Sequence, residues 1–163
     1  MIWLFRLSVA VYLLCLVVGS TMLPDRVPVR FDADGDPTMF RAKSFVLISM
    51  LIIGLLLAAV FEVLVRVVPA RGGDRLGLPY RDHWIRPQNQ ARFRRMIATD
   101  VAFFGICTMA LLSLLVVAAT RVGEDAGRGL GRLGVVAVLG FALGTLTWLV
   151  WMFTSRYRPA GRR

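Results

Sequence analysis

Chemistry at a polar site needs acidic, histidine or cysteine side chains at a defined spacing, and this sequence has few of them. Asp32, Asp34 and Asp36 form a D-x-D-x-D run, the spacing that opens a calcium-binding EF-hand loop. Such a loop also needs glycine at its sixth position and a bidentate glutamate at its twelfth. Pro37 and Lys43 occupy those positions here. The run therefore predicts a solvated acidic turn and no metal site.

The candidate bases and nucleophiles are also isolated. His83 is the single histidine, between Asp82 and Trp84, and we expect an aromatic anchor at a membrane interface, with pH sensing as the alternative. Cys15 and Cys107 lie in apolar runs without CxxC spacing, which is typical of buried thiols. The chain has no serine–histidine–aspartate arrangement and no HExxH motif. The sequence predicts a protein that is not an enzyme and holds no cofactor.

Composition indicates which solvent surrounds the chain. Of its 163 residues 57% are hydrophobic, and the mean hydropathy is +0.67. A soluble domain of this size cannot bury so much apolar surface, and the same figures exclude intrinsic disorder and disulfide-stabilised scaffolds. Four apolar runs are long enough to cross a hydrocarbon core of about 30 Å as helices, namely about 2–22, 44–68, 97–120 and 133–153. We expect an all-α polytopic fold, a single membrane domain over residues 1–163.

The distribution of positive charge predicts the orientation. The formal net charge is +10, and 19 of the 20 basic residues are arginine. With Arg6 counted at the N-terminus and Arg66 counted with the loop 69–96, the two termini and this loop carry 13 of them, against 7 in the two other loops. By the positive-inside rule both termini and the loop 69–96 are cytoplasmic, and the loop 23–43 faces outward. The arginine bias suggests a bacterial genome, so we expect a multi-pass protein of the bacterial inner membrane.

Charged residues within the apolar runs could mark an ion pathway. Arg6, Glu62, Arg66 and Asp100 are the candidates, and all of them fall near the predicted cytoplasmic boundary. Arg66 follows Glu62 by four residues, so the two can pair on one helix face. Asp100 is expected near the amides that start the third helix and near Arg95. With no charge at mid-membrane, the pattern disfavours a pump or coupled transporter.

The cytoplasmic loop is strongly basic where it approaches the third apolar run. Pro87 suits the first turn of a helix, and apolar residues then recur at helical spacing. We expect an interfacial segment that leads into the third helix and lies on anionic lipid headgroups. The candidate lipid contacts are Arg86, Arg92, Arg94 and Arg95. Lipid is favoured over nucleic acid because the arginines lie between the apolar runs.

The loop 23–43 is the most distinctive stretch of the chain. Pro24 and Pro28 favour extended backbone before them, and Asp34–Gly35 favours a tight turn. A hairpin-like or extended loop on the membrane surface is predicted. The candidate interaction residues in this loop are Pro24, Asp25, Arg26, Pro28, Arg30, Phe31, Asp32 and Gly35.

At this loop the chain resembles the domain of unknown function 1648, whose signature reads approximately LPDRIPxHFNxxGxPDxxxxK. The matching residues are Leu23, Pro24, Asp25, Arg26, Pro28, Phe31, Gly35, Pro37 and Lys43. The family's histidine is replaced by Arg30 and its asparagine by Asp32. The resemblance covers about residues 1–70. It implies a small bacterial membrane protein similar to SdpI-like immunity proteins, which protect bacilli from the sporulation-delaying toxin.

Small residues predict close helix packing. Gly140 and Gly144 form a GxxxG pair in the fourth apolar run, and Gly54 with Ala58 forms a similar pair in the second. We expect both pairs to face the interior of the bundle and not a second copy of the chain.

Taken together, these features favour a non-catalytic membrane protein with an immunity-like, signalling or partner-binding role, whose partner is another membrane protein or an envelope toxin. The alternative is a small transporter or channel subunit, for which Thr108, Thr145 and Thr147 are the best polar lining. Each of these hydroxyls can instead bond back to its own helix.

Overall fold

The computed structural model of the chain describes residues 1–31, 37–70, 81–84, 86–121 and 131–158. Its elements, in chain order, are α1 (Ile2–Met22), β1 (Arg26–Phe31), β2 (Pro37–Ala42), α2 (Lys43–Ala70), α3 (Arg81–Trp84), α4 (Pro87–Arg121), α5 (Gly131–Trp151) and a π-helical turn (Met152–Arg156). Four of the helices, α1, α2, α4 and α5, are long and apolar enough to cross a membrane. The predicted all-α architecture of four membrane helices is confirmed.

Helix α4 is the longest, with 35 residues, and it begins ten residues before the predicted third span. Proline suits the first position of a helix because its missing N–H would be unpaired there, and no further proline follows before Arg121. The predicted interfacial segment is therefore the first part of one continuous helix. The carbonyl of Arg86 accepts hydrogen bonds from the amides of Asn89 and Gln90 at 2.9 and 3.2 Å, which closes the first turn.

Helices α1 and α2 both pack along α4, and their contact forms the main core. Tyr12 of α1 is buried and donates a hydrogen bond to the carbonyl of Met50 at 2.6 Å. Gly54 makes this contact feasible, since a Cβ there would lie 2.1 Å from the tyrosine ring. The predicted close approach at Gly54 is confirmed, and the missing side chain seats Tyr12 of the neighbouring helix.

The predicted inward orientation of the other glycine pair is wrong. A Cβ at Gly140 or Gly144 would meet no heavy atom within 4 Å. Helix α5 instead turns the half-buried residues Phe141, Thr145 and Trp148 inward, and Trp148 stacks on Phe103 of α4 with ring centroids 4.0 Å apart. Successive helical residues point about 100° apart, so the glycines next to this stripe face away from the bundle.

Strands β1 and β2 form a two-stranded antiparallel sheet between α1 and α2. Arg26 pairs with Ala42 and Pro28 with Phe40, and the register shifts beyond Pro28. The amide of Lys43 donates to the carbonyl of Asp25 at 3.0 Å, where α2 begins. The described part of the predicted hairpin-like loop is thus an antiparallel pair of strands at one end of the bundle, and we call it the hairpin.

Candidate functional site

The hairpin is fixed to the helix ends by a small apolar cluster. Val27 of β1 is 3% exposed and packs with Leu23, at the end of α1, and Val46, in the first turn of α2. Ala119, near the end of α4, contacts the same cluster. Burial of these side chains holds the hairpin as part of the helix bundle, so its outer surface has a defined position.

The outer surface of the hairpin is both apolar and basic. Val29, Met39 and Phe40 are exposed, with Phe40 at 50%. Arg26 and Arg30 of β1 are exposed as well. Exposed apolar groups mixed with arginines are typical of surfaces that bind another molecule.

The edges of the hairpin offer backbone groups in addition. Within the residues that the structure describes, each strand has one neighbouring strand only, so its other edge carries N–H and C=O groups without a strand partner. Exposed edges of this kind pair with extended peptides. The hydroxyl of Thr38 donates to the carbonyl of Arg30 at 3.3 Å and links the two strands.

The predicted interaction residues fall on this hairpin as far as the structure describes it. Asp25, Arg26 and Arg30 are exposed, and Pro24 and Pro28 are half-buried. Phe31 ends β1. The remaining candidates, together with the acidic run, lie outside the described residues: Asp32, Asp34, Gly35 and Asp36.

At the opposite end of the bundle Asp100 is buried, with 3% exposure, and is held by two consecutive residues after α5. The Tyr157 hydroxyl donates to Oδ2 at 2.8 Å. The Arg156 Nε lies 3.0 Å from Oδ1, and its N–H donates to Oδ2 at 3.2 Å. Burial raises the pKa of Tyr157 well above its usual range, and the hydrogen bond to Asp100 raises the pKa further. The hydroxyl therefore keeps its proton and remains a donor. We name Asp100, Arg156 and Tyr157 the aspartate cluster.

The expected surroundings of Asp100 are wrong. Because α4 begins at Pro87, Asp100 lies 13 residues inside the helix, about 20 Å from its first amides. Arg95 is exposed, and the arginine that pairs with Asp100 is Arg156. Sequence reasoning missed this pair because 56 residues separate its members.

Aromatic rings surround the aspartate cluster. The indole Nε1 of Trp84 donates to the carbonyl of Tyr157 at 3.0 Å, and Phe93 stacks on Trp84 with ring centroids 5.8 Å apart. His83 meets Trp84 edge-on, and its carbonyl accepts from Asn89 Nδ2 at 2.8 Å. These contacts connect α3, α4 and the end of α5. His83, predicted to be an aromatic anchor, therefore packs with Trp84 between these elements.

A second charged cluster lies at the same end, between α1 and α2. Arg66 Nη2 is 2.5 Å from Glu62 Oε1, which confirms the predicted pair four residues apart. Arg6 Nη2, from the first turns of α1, lies 2.7 Å from the same oxygen. Because α1 and α2 run in opposite directions, the start of one lies beside the end of the other. We name these three residues the glutamate cluster.

The other predicted residues show no arrangement for chemistry. Among the described residues there is no group of three histidine, cysteine or acidic side chains that could hold a metal ion. Cys15 and Cys107 are free, partly buried thiols. The four predicted lipid contacts are exposed on and before the first turns of α4, namely Arg86, Arg92, Arg94 and Arg95.

The threonines weighed for a transport path differ: one bonds to its own helix, one turns inward with a buried, unbonded hydroxyl, and one is exposed. The Thr108 hydroxyl donates to the carbonyl of Phe104 in its own helix at 2.8 Å. Thr145 is half-buried, and Thr147 is exposed on α5. A cavity of about 650 Å³ between α1 and α4 near the hairpin is lined mainly by apolar residues, with Thr120 and Arg121 at one end.

Comparison with known proteins identifies no relative. No protein-family model, no curated protein sequence and no solved structure matches this chain.

Proposed function

We propose that this chain is a non-catalytic protein of the bacterial inner membrane that binds a peptide or protein partner outside the cell, on the hairpin of residues 23–43. One observation carries the proposal: the hairpin is packed firmly onto the helix ends by Val27, while Phe40 and its neighbours stay exposed. A rigid, exposed apolar surface loses little conformational entropy when a partner binds. The outward orientation rests on the uneven distribution of arginine.

The chemistry of the strands favours an extended, acidic partner segment. A peptide strand can add to either edge of the hairpin through backbone hydrogen bonds. Arg26, Arg30 and Arg41 then provide charge-assisted contacts to its carboxylates. The resemblance of this loop to the domain of unknown function 1648 supports an immunity-like role, in which the partner is a peptide toxin of the cell envelope.

Binding is favoured over transport by the location of the charges. Both charged clusters lie at the end opposite the hairpin, and Thr108 bonds to its own helix. A transported ion would need polar groups along the middle of the helices. The hairpin, by contrast, supplies a surface that is already exposed.

Site-specific photo-crosslinking in living cells tests the proposal. A photoreactive residue at Phe40, 50% exposed on the hairpin, is compared with one at Phe153, 44% exposed near the opposite end. We expect a protein or peptide adduct at position 40 and none at position 153. Lipid adducts alone at both positions would refute the proposal.

A toxin challenge provides the functional readout. Cells that lack the gene and carry either the wild-type chain or the Phe40→Asp variant are exposed to envelope-targeted peptide toxins. We expect the variant to lose the protection that the wild type gives, since the aspartate repels an acidic partner and removes apolar contact. Equal sensitivity of cells with and without the gene would exclude the immunity-like role.

A further inference from the structure

The glutamate cluster carries more positive charge than its geometry neutralises. Arg6 and Arg66 approach the same oxygen of Glu62, so one carboxylate faces two guanidinium groups and a charge of +1 remains. We propose that Arg6 and Arg66 bind the phosphate of an anionic lipid headgroup at the membrane surface opposite the hairpin.

The two guanidinium groups keep most of their hydrogen-bonding capacity. Each has five N–H donors, and in the described part of the chain each makes a single hydrogen bond, through Nη2 to Glu62. The side chains of Arg6 and Arg66 are 46% and 63% exposed. A phosphate group accepts paired N–H bonds from guanidinium in a planar, bidentate geometry.

The depth of the cluster suits a headgroup. Arg6 lies four residues after the start of α1, and Arg66 lies four residues before the end of α2. Each is therefore about 6 Å from its helix end, measured along the helix axis. Trp3 is 77% exposed, and the Arg6 guanidinium carbon lies 6.0 Å from its ring centroid. Exposed tryptophan is enriched at the level of the headgroups, which long arginine side chains reach by snorkelling.

The role of Glu62 is to hold the two arginines together. Its side chain is 24% exposed, and its Oε1 lies 2.7 Å from a guanidinium nitrogen of α1 and 2.5 Å from one of α2. Without it the two cations would repel each other across the gap between the helices. Glu62 is thus a positioning residue, and the phosphate completes the neutralisation of the site.

The charge of the site selects between lipids. Phosphatidylglycerol carries a net charge of −1, which balances the remaining +1. Phosphatidylcholine places a quaternary ammonium beside its phosphate and carries no net charge, so it gains less from the arginines. The site therefore prefers phosphatidylglycerol. Inorganic phosphate shares the binding chemistry but lacks acyl chains to pack on the apolar faces of α1 and α2.

Lipid titration of the full-length protein in detergent, followed by native mass spectrometry, tests this assignment. Arg66→Gln is the main variant, because Arg66 lies on the same helix as Glu62 and its loss leaves the Arg6–Glu62 tie between helices intact. We expect its affinity for phosphatidylglycerol to fall about tenfold, as for the loss of one charged hydrogen-bonding partner. The matched control is Arg121→Gln, an exposed arginine at the end of α4 next to the hairpin, which we expect to bind like the wild type.

Further arms separate the alternatives. Equal losses in Arg66→Gln and Arg121→Gln, at unchanged thermal stability of both variants, would overturn the proposal, because they would show only a general effect of charge. Equal affinity of the wild type for phosphatidylcholine and phosphatidylglycerol would also overturn it. Displacement of phosphatidylglycerol by equimolar inorganic phosphate would identify a site for free phosphate and reject the lipid.

Discussion

The two charged clusters occupy the same end of the bundle and use the same kinds of side chain, but their surroundings differ. Asp100 is buried, and the tyrosine and the arginine that hold it balance one negative charge with one positive charge. Glu62 is partly exposed and faces two arginines. A buried ion pair whose charges balance has no excess charge to attract an anion and serves packing. An exposed cluster with excess charge contributes little to stability and can bind an anion.

Removing the buried carboxylate should have the largest effect on stability. Asp100→Asn leaves Arg156 next to a neutral amide in a half-buried position, and loss of one member of a buried pair costs about 3 kcal/mol. We expect a decrease of this size in the free energy of unfolding of the detergent-solubilised protein, measured by titration with a denaturing detergent. A decrease below that of Glu62→Gln would reverse the comparison between the clusters.

Removing the tyrosine hydroxyl should have an intermediate effect. Tyr157→Phe keeps the ring packed against Trp84 and Phe93 and deletes one hydrogen bond to a carboxylate. A hydrogen bond to a charged group contributes about 1.5 kcal/mol. The same unfolding titration measures the loss, and an unchanged free energy of unfolding would show that Arg156 alone holds Asp100.

The stability of the protein should also respond to alkaline pH through Tyr157. Its pKa is raised in the folded protein, mainly by burial and next by the hydrogen bond to Asp100. A folded pKa above the unfolded value of about 10 means that the stabilisation is complete below pH 10 and is lost as the pH rises toward the folded pKa. Between about pH 9 and pH 11, the melting temperature of the wild type should fall more steeply with pH than that of Tyr157→Phe. Parallel declines would show that the pKa of Tyr157 is not raised in the folded protein.

The smallest effect on stability is expected for Glu62→Gln. The change weakens two ion pairs whose arginines are about half exposed, and exposed pairs contribute less than about 1 kcal/mol each. Because Glu62 positions the two arginines, binding of phosphatidylglycerol should weaken even though the charge of the cluster rises from +1 to +2. A loss of stability as large as that in Asp100→Asn would show that the two clusters contribute equally to folding.

The sequence predicts those parts of the molecule that depend on local pattern. The apolar runs are long enough to indicate four helices, Pro24 and Pro28 with the Asp34–Gly35 pair indicate a hairpin-like loop, and a spacing of four predicts the Glu62–Arg66 pair. Each of these follows from the geometry of a single helix or turn.

The contacts between helices depend on which helix faces pack together, and a single sequence carries little information about the pairing of faces. Arg6 reaches Glu62 over 56 residues, and Arg156 reaches Asp100 over the same separation. Gly140 and Gly144 have the spacing of a packing motif, but α5 uses the adjacent stripe that includes Trp148. A spacing rule gives the residues that share a face and leaves the neighbour of that face undetermined.

The separation between Asp100 and Arg156 has a consequence for biogenesis. The ribosome must add 56 more residues after the aspartate before its cationic partner exists. At about 5–20 residues per second, translation takes about 3–11 s to reach that point. During this interval the nascent chain carries an acidic group in its third hydrophobic segment without the arginine that later compensates it. Final docking of that segment must therefore wait until the last helix has been synthesised, which makes assembly of this end of the protein a late event.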